Sequence, residues 1–149
     1  MDNRKTAGSI QLLLTLIALL FLAAFICSQV VPVMMTPEIK WGSGILTALA
    51  FYYFMTGGFY YIELNNADDH LEVKFYNTFP FNRSFKMYKI PISAFIKYET
   101  TGSKFYKRKL FLYQMSANQM AKYPPIYISA LSKKDEANMA QFFKNLKSK

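Results

Sequence analysis

Two stretches without a single charged side chain, residues 6–37 and residues 41–62, constrain most what this chain can fold into. A bilayer's hydrocarbon core is about 30 Å thick and a helix rises about 1.5 Å per residue, so roughly twenty consecutive apolar residues are enough to cross it. The run at 10–31 is broken only by Gln11, Thr15, Ser28 and Gln29. The run at 41–61 carries Trp41 at one end and Phe59, Tyr60 and Tyr61 at the other, ring types that favour the head-group boundary. Each run predicts a transmembrane helix. The link at 32–40 holds two prolines, Pro32 and Pro37, and is long enough only for a turn, so both chain ends are expected on one side.

A cleaved signal peptide is the competing reading, because Arg4 and Lys5 precede the first run. That run exceeds a signal core, and a second apolar run follows almost at once. Cys27 is the only cysteine and is preceded by Ile26 rather than the small residue a lipobox needs, so neither a lipid anchor nor an intrachain disulfide is expected. Orientation follows from basic residues: Arg4 and Lys5 flank the first run, Lys74 and Arg83 follow the second, and the link has Lys40 alone. Positive charge favours the cytoplasm, which predicts a multi-pass inner-membrane protein with both termini cytoplasmic.

None of the polar groups inside the runs ionises near neutral pH, which argues against an ion path. Tyr52 and Tyr53 fall near mid-membrane in this reading, where a hydroxyl seeks a partner on a neighbouring helix. With Gly44 and Ala48, spaced four apart, they are the candidates for helix packing.

Residues 1–62 thus form a hairpin, and residues 63–149 one small domain. The net charge is +9, with fifteen Lys or Arg against seven Asp or Glu from residue 62 onward, an excess suited to anionic lipid or acidic partners. Leu71, Val73 and Phe75 alternate with Glu72 and Lys74, and Phe85 and Met87 alternate with Ser84 and Lys86, the pattern of strands with one buried face. Further strands are expected at 94–100, 109–115 and 125–129, separated by turns at 65–70, 77–83, 101–104 and 116–124. Ser132 and Asp135 form a helix-start signature, after which Met139, Phe142, Phe143 and Leu146 share one helical face, with Lys144, Lys147 and Lys149 toward the end. The fold class expected is a membrane α-hairpin plus an α+β domain: a small antiparallel sandwich or partly open barrel closed by a C-terminal amphipathic helix.

Two spans, a meandering sheet, the stretch Ile90-Pro91-Ile92-Ser93-Ala94-Phe95-Ile96 and a final helix together resemble the bacterial pleckstrin-homology-like membrane proteins of the YdbS type. The resemblance implies an orthogonal sandwich capped at one open end by the helix and used for binding rather than chemistry. In phosphoinositide-binding members of the wider fold, basic residues around the first hairpin loop cradle the phosphates. Here that loop, residues 65–70, contains Asp68 and Asp69, so lipid-phosphate binding is not carried over to it.

Asp68, Asp69 and His70 are the one cluster of acid and imidazole, but neighbouring turn residues cannot close a metal site alone and no second histidine exists. No nucleotide-binding glycine loop, zinc spacing or serine-hydrolase elbow occurs, so no catalytic residue, cofactor or metal is expected. Lys104, Phe105, Tyr106, Lys107, Arg108 and Lys109 interleave aromatic and basic side chains and form the candidate contact for lipid or a partner, with lipid favoured over nucleic acid. The sequence therefore points to a non-enzymatic, membrane-anchored binding or scaffold protein, an accessory subunit of a larger inner-membrane complex or a homo-oligomer. The alternatives are a transport or channel component built from oligomerised hairpins and a sensor of anionic lipid surfaces.

Overall fold

The computed structural model describes every residue except Met35, Asp68, Asn82, Ala117, Asn118, Ser148 and Lys149, and the backbone alone at Met34 and Lys147. The first apolar run is helix α1, Arg4–Val30, joined through a 3-10 turn, Pro32–Met34, to helix α2, Pro37–Thr56. Pro37 suits the first turn of α2, where a missing N–H costs no helical bond. The α1 seam repeats every three to four residues: Ala7, Leu14, Ala18, Phe21, Phe25 and Ser28 turn inward, while Leu12, Leu13, Leu16, Leu19 and Leu20 stay exposed. Two hydroxyl contacts tie the helices together. Ser28 Oγ lies 3.3 Å from Ser43 Oγ, and Thr47 Oγ1 donates to the carbonyl of Phe21 at 3.0 Å.

Among the described residues, α1 alone is long and apolar enough to cross a membrane, which corrects the expectation of two such helices. The second run fails for a physical reason at each end. Glu38 and Lys40 lie in the first turns of α2, and Gly42, Ser43, Gly44, Tyr52 and Tyr53 dilute the remainder. At the other end α2 stops at Thr56; Gly57 and Gly58 follow, the latter at φ +79°, and Tyr60 and Tyr61 open a strand instead of closing a span.

The strands are β1 (Tyr60–Ala67), β2 (His70–Asn77), β3 (Lys86–Pro91), β4 (Phe95–Ser103), β5 (Tyr106–Ser116), β6 (Gln119–Lys122) and β7 (Ile126–Tyr127), followed by helix α3 (Lys133–Lys147). The order β1-β2-β3 makes one antiparallel sheet and β4-β5-β6 another, with β7 alongside the first part of β5 and β6 alongside its last. Both sheets face one core. Ile62, Leu64, Leu71, Val73, Phe75 and Ile90 come from the first, and Leu110, Leu112 and Ile126 from the second, none more than 4 % exposed. From α3, Met139, Phe143 and Leu146 close it, the Phe143 ring stacking 4.3 Å from Tyr98 and 5.6 Å from Phe95. The domain is thus α+β with two antiparallel sheets, in keeping with the expected class.

Leu71, Val73 and Phe75 point inward as their alternation requires, but β3 has the opposite phase. Phe85 precedes the strand and is exposed, as is Met87, while Ile90 is buried and Tyr88 packs on the core. Register with β2 decides this, because Leu71 pairs Ile90 and Val73 pairs Tyr88. β1 and β6 were not among the expected strands. β1 is split in sequence between the tail of an apolar run and an asparagine pair that reads as a turn.

A link that nothing in the local sequence announces fastens the start of α1 to the sheet. The N-terminal ammonium of Met1 donates to the carbonyl of Leu64 and the Leu64 amide returns a bond to Met1, both at 2.7 Å. Asn3, 1 % exposed, receives the Ile62 amide on Oδ1 at 2.8 Å and donates Nδ2 to the Tyr60 carbonyl at 3.1 Å. Residues 1–3 therefore line the edge of β1.

Candidate functional site

The hairpin β4–β5 turns through Lys104 and Phe105, at the centre of the basic and aromatic segment. Its approach requires unusual backbone: Gly102 has φ +94°, where a Cβ would meet the Lys107 carbonyl at 3.0 Å, and Lys107 itself has φ +52°. The register shifts between Thr101 and Ser103, so the tip is bulged. This bend carries the tip onto the end of α2. The Tyr53 hydroxyl donates to the Phe105 carbonyl at 2.5 Å, the Lys107 amide donates to the Gly57 carbonyl at 2.9 Å, and the Tyr53 and Tyr106 rings stack 6.4 Å apart.

The six segment residues divide into two groups. Arg108 forms an ion pair with Glu136 of α3, its amide donates to Ser129 Oγ at 3.1 Å, and its carbonyl accepts from Ile128 at 2.8 Å. Lys109 lies 6.0 Å from the Tyr127 ring. Arg108 thus serves the domain's own packing, and Lys109 lies along the strand away from the turn. Lys104, Phe105, Tyr106 and Lys107 form the tip, with Phe105 77 % exposed and Lys107 Nζ 5.0 Å over the Tyr106 ring. Hydrogen bonding between Lys107 and Tyr106 raises the lysine's pKa and lowers the tyrosine's, so Lys107 stays cationic throughout the neutral range.

A second tip lies beside the first. After β2 the Thr78 amide and hydroxyl both donate to the Phe59 carbonyl, and the Phe79 amide donates to Asn77 Oδ1, turning the chain toward α2. The Phe79 ring meets Phe54 edge-on at 5.2 Å, and Phe81, 86 % exposed, packs on Phe79 at 5.6 Å. Phe54, Phe59 and Ala130 form a small buried cluster that Ile10, Leu14 and Phe79 join. By composition residues 77–83 read only as a turn; two phenylalanines in that stretch, Phe79 and Phe81, were the available signal.

The helix-packing candidates are dispersed. Gly44 faces α1, where an added Cβ would meet the Phe25 ring at 3.3 Å, whereas Ala48 is exposed. Tyr52 and Tyr53 lie in the last turns of α2 beside the β domain, not at mid-helix, and the partner of the Tyr53 hydroxyl is a loop carbonyl rather than another helix.

No protein-family model, curated protein or solved structure matches this chain.

The acidic turn is remote from both tips. Ala67 pairs His70 at one end of the β1–β2 ladder, while Tyr60 pairs Asn77 at the end next to the helices. Asp68 lies outside the described residues; Asp69 adopts φ +63° and its carbonyl accepts from the Ile92 amide at 2.8 Å. Nearby, Glu72 pairs with Lys89 at 3.2 Å and Lys74 at 3.7 Å, and the bond from Lys89 foremost lowers its pKa. Among the described residues no three His, Cys, Asp or Glu side chains gather as a metal site would require. The outer face of the first sheet carries an open groove of about 350 Å³ between Tyr61, Tyr76, Phe85 and Met87. Burial, then the bond to Glu63, pushes the Tyr61 hydroxyl up to about 12, so it remains protonated.

Proposed function

We propose that this chain is a non-enzymatic binding or scaffold protein, held at the inner membrane by its apolar helix α1 and serving as an accessory subunit of a larger membrane assembly. The observation that carries this reading is the exposure of α1. Only 6 % of its most apolar stretch is buried, so the leucine-rich surface is left uncovered by the described residues. A core helix of a soluble domain would be mostly covered, and lipid is the solvent in which such a surface is stable. α2 packs along α1, its seam of Ser43, Gly44 and Thr47 against that helix.

The β domain then lies in the cytoplasm, with Arg4 and Lys5 at the start of α1 on the same side. Among the described residues, seven strands in two sheets followed by one helix are consistent with the pleckstrin-homology-like architecture that the sequence resembles. Such domains bind. The groove between Tyr61 and Phe85 is open enough for an apolar protein side chain.

Purification of the tagged chain in mild detergent, with identification of the proteins that accompany it, tests the reading. A stable partner is expected. A chain that purifies alone at every detergent strength and conducts ions or solutes in proteoliposomes would instead favour the transport reading.

A further inference from the structure

The two loop tips sit at one level of the hairpin. Phe79 contacts Phe54, and that contact belongs to the cluster joined by Ile10 and Leu14, so the β2–β3 tip lies at the height of residues 10–14 of α1. The β4–β5 tip is tied to Tyr53, one residue before Phe54. At this same height the exposed apolar surface of the helices begins, with Leu12 and Leu13 on α1 and Met55 on α2 all exposed. From Leu12 to the end of α1 at Val30 is about 28 Å at the helical rise, close to the thickness of a hydrocarbon core. Both tips therefore lie at the rim of the apolar band next to the domain. Each presents a largely exposed phenylalanine, Phe81 at 86 % and Phe105 at 77 % exposure, beside basic side chains: Arg83 in one, Lys104 and Lys107 in the other. The acidic turn with Asp69 is at the far end of the strands.

We propose that these tips form a collar seated in the head-group layer, with Phe81 and Phe105 wedged between lipids and Arg83, Lys104 and Lys107 facing the phosphates of anionic phospholipids. The inference rests on the membrane reading of α1 and deepens it, for it narrows lipid contact to three cations and two rings. Arg108 is excluded, since Glu136 holds it on the domain, and Lys109 by its place along the strand, where it pairs Tyr127 away from the turn. Rings at the boundary and cations at the phosphate level are the usual occupants of that layer. A protein partner would need no correspondence between the tips and the end of the apolar band; a bilayer does.

The test uses the full chain in vesicles of phosphatidylcholine and phosphatidylglycerol, carrying Cys27→Ser and a single bimane-labelled cysteine at Phe81, Phe105, Leu19 or Met120. Nitroxide-labelled phospholipids quench the fluorophore at known depth. Position 19 is expected to be quenched from deep in the acyl region, positions 81 and 105 from near the head groups, and position 120, at the opposite end of the domain, not at all. Quenching at 19 with 81 and 105 as bright as 120 would overturn the collar while leaving the membrane reading intact. Loss of quenching at 19 as well would remove the membrane reading and the collar with it. At low salt, labelled phosphatidylglycerol should quench position 105 about twofold more than labelled phosphatidylcholine. High salt, or the combination Arg83→Ser, Lys104→Ser and Lys107→Ser, should abolish the difference. Equal quenching by the two lipids at low salt would overturn the anionic-lipid assignment.

Discussion

At the residue scale, Asn3 shows how one side chain holds a helix to a sheet. Its carboxamide completes the edge of β1 where no further strand pairs, so Asn3→Ala leaves the Ile62 amide and the Tyr60 carbonyl without those bonds in a place water barely reaches. An orphaned buried group costs about 1–3 kcal/mol. Denaturant unfolding of the detergent-solubilised chain should register a loss of that size, together with faster amide exchange at Ile62; unchanged exchange would mean that the clasp is not formed in solution. Arg108 gives a contrast within a single basic run. Its pair with Glu136 is about three-quarters buried on both sides, so Arg108→Ala should lower stability by about 1–2 kcal/mol, whereas Lys104→Ser on the tip should change it by less than about 0.5. Equal effects from both substitutions would contradict the division of the segment drawn from the structure.

At the scale of single elements, α3 is organised by its first turn and by one ring. Ser132 Oγ accepts the Asp135 amide at 3.1 Å while Asp135 Oδ2 accepts the Ser132 amide at 3.0 Å, a reciprocal cap legible in the sequence as Ser132 and Asp135 three apart. The tertiary structure adds Thr6 of α1, whose hydroxyl donates to the same carboxylate at 2.8 Å. Burial alone would raise the Asp135 pKa, but the bonds from Ser132 and Thr6 outweigh it and the net shift is downward. A carboxylate with a lowered folded-state pKa contributes stability above its unfolded value, about 3.9, and loses that contribution as pH falls through the folded value. Thermal unfolding of the wild type should therefore weaken below about pH 4, and Asp135→Asn should remove that part of the dependence while costing about 1 kcal/mol at neutral pH. An identical acid profile in the variant would dismiss the role of the cap. Along the same helix Phe143 is 1 % exposed and Phe142 only half-buried, so Phe143→Ala should cost about 3–5 kcal/mol and Phe142→Ala clearly less, as read by unfolding.

For the whole molecule, the clasp at residues 1–3 and the return of α2 bring the start of α1 and the β domain to one end of the hairpin. Thiol labelling in intact cells should therefore treat a cysteine introduced at Lys5 and one introduced at Met120 alike, both protected from outside until the membrane is opened. Labelling of either from the outside would overturn the cytoplasmic assignment. The same arrangement separates charge along the molecule, with basic tips beside the helices and the Asp69 turn at the opposite end. A domain of net positive charge thus has a definite basic end.

The chain's own order of residues determined the features whose causes lie within a few positions of one another. The length and apolarity of α1, the inward alternation of Leu71, Val73 and Phe75, and the cap and apolar face of α3 all follow from helix and strand periods and from a hydrogen bond across three residues. Tertiary structure alone decided which face of β3 is buried, which of the basic side chains in the segment 104–109 stay at the tip, and where that tip lies. Those outcomes depend on partners far away in sequence: Ile90 is inward because it pairs Leu71, Arg108 is withdrawn because α3 brings Glu136 to it, and Phe105 is at the helix end because Tyr53, 52 residues earlier, holds its carbonyl. Local periodicity carries no record of such partners, so the collar became visible only when the strands had set both tips beside the hairpin.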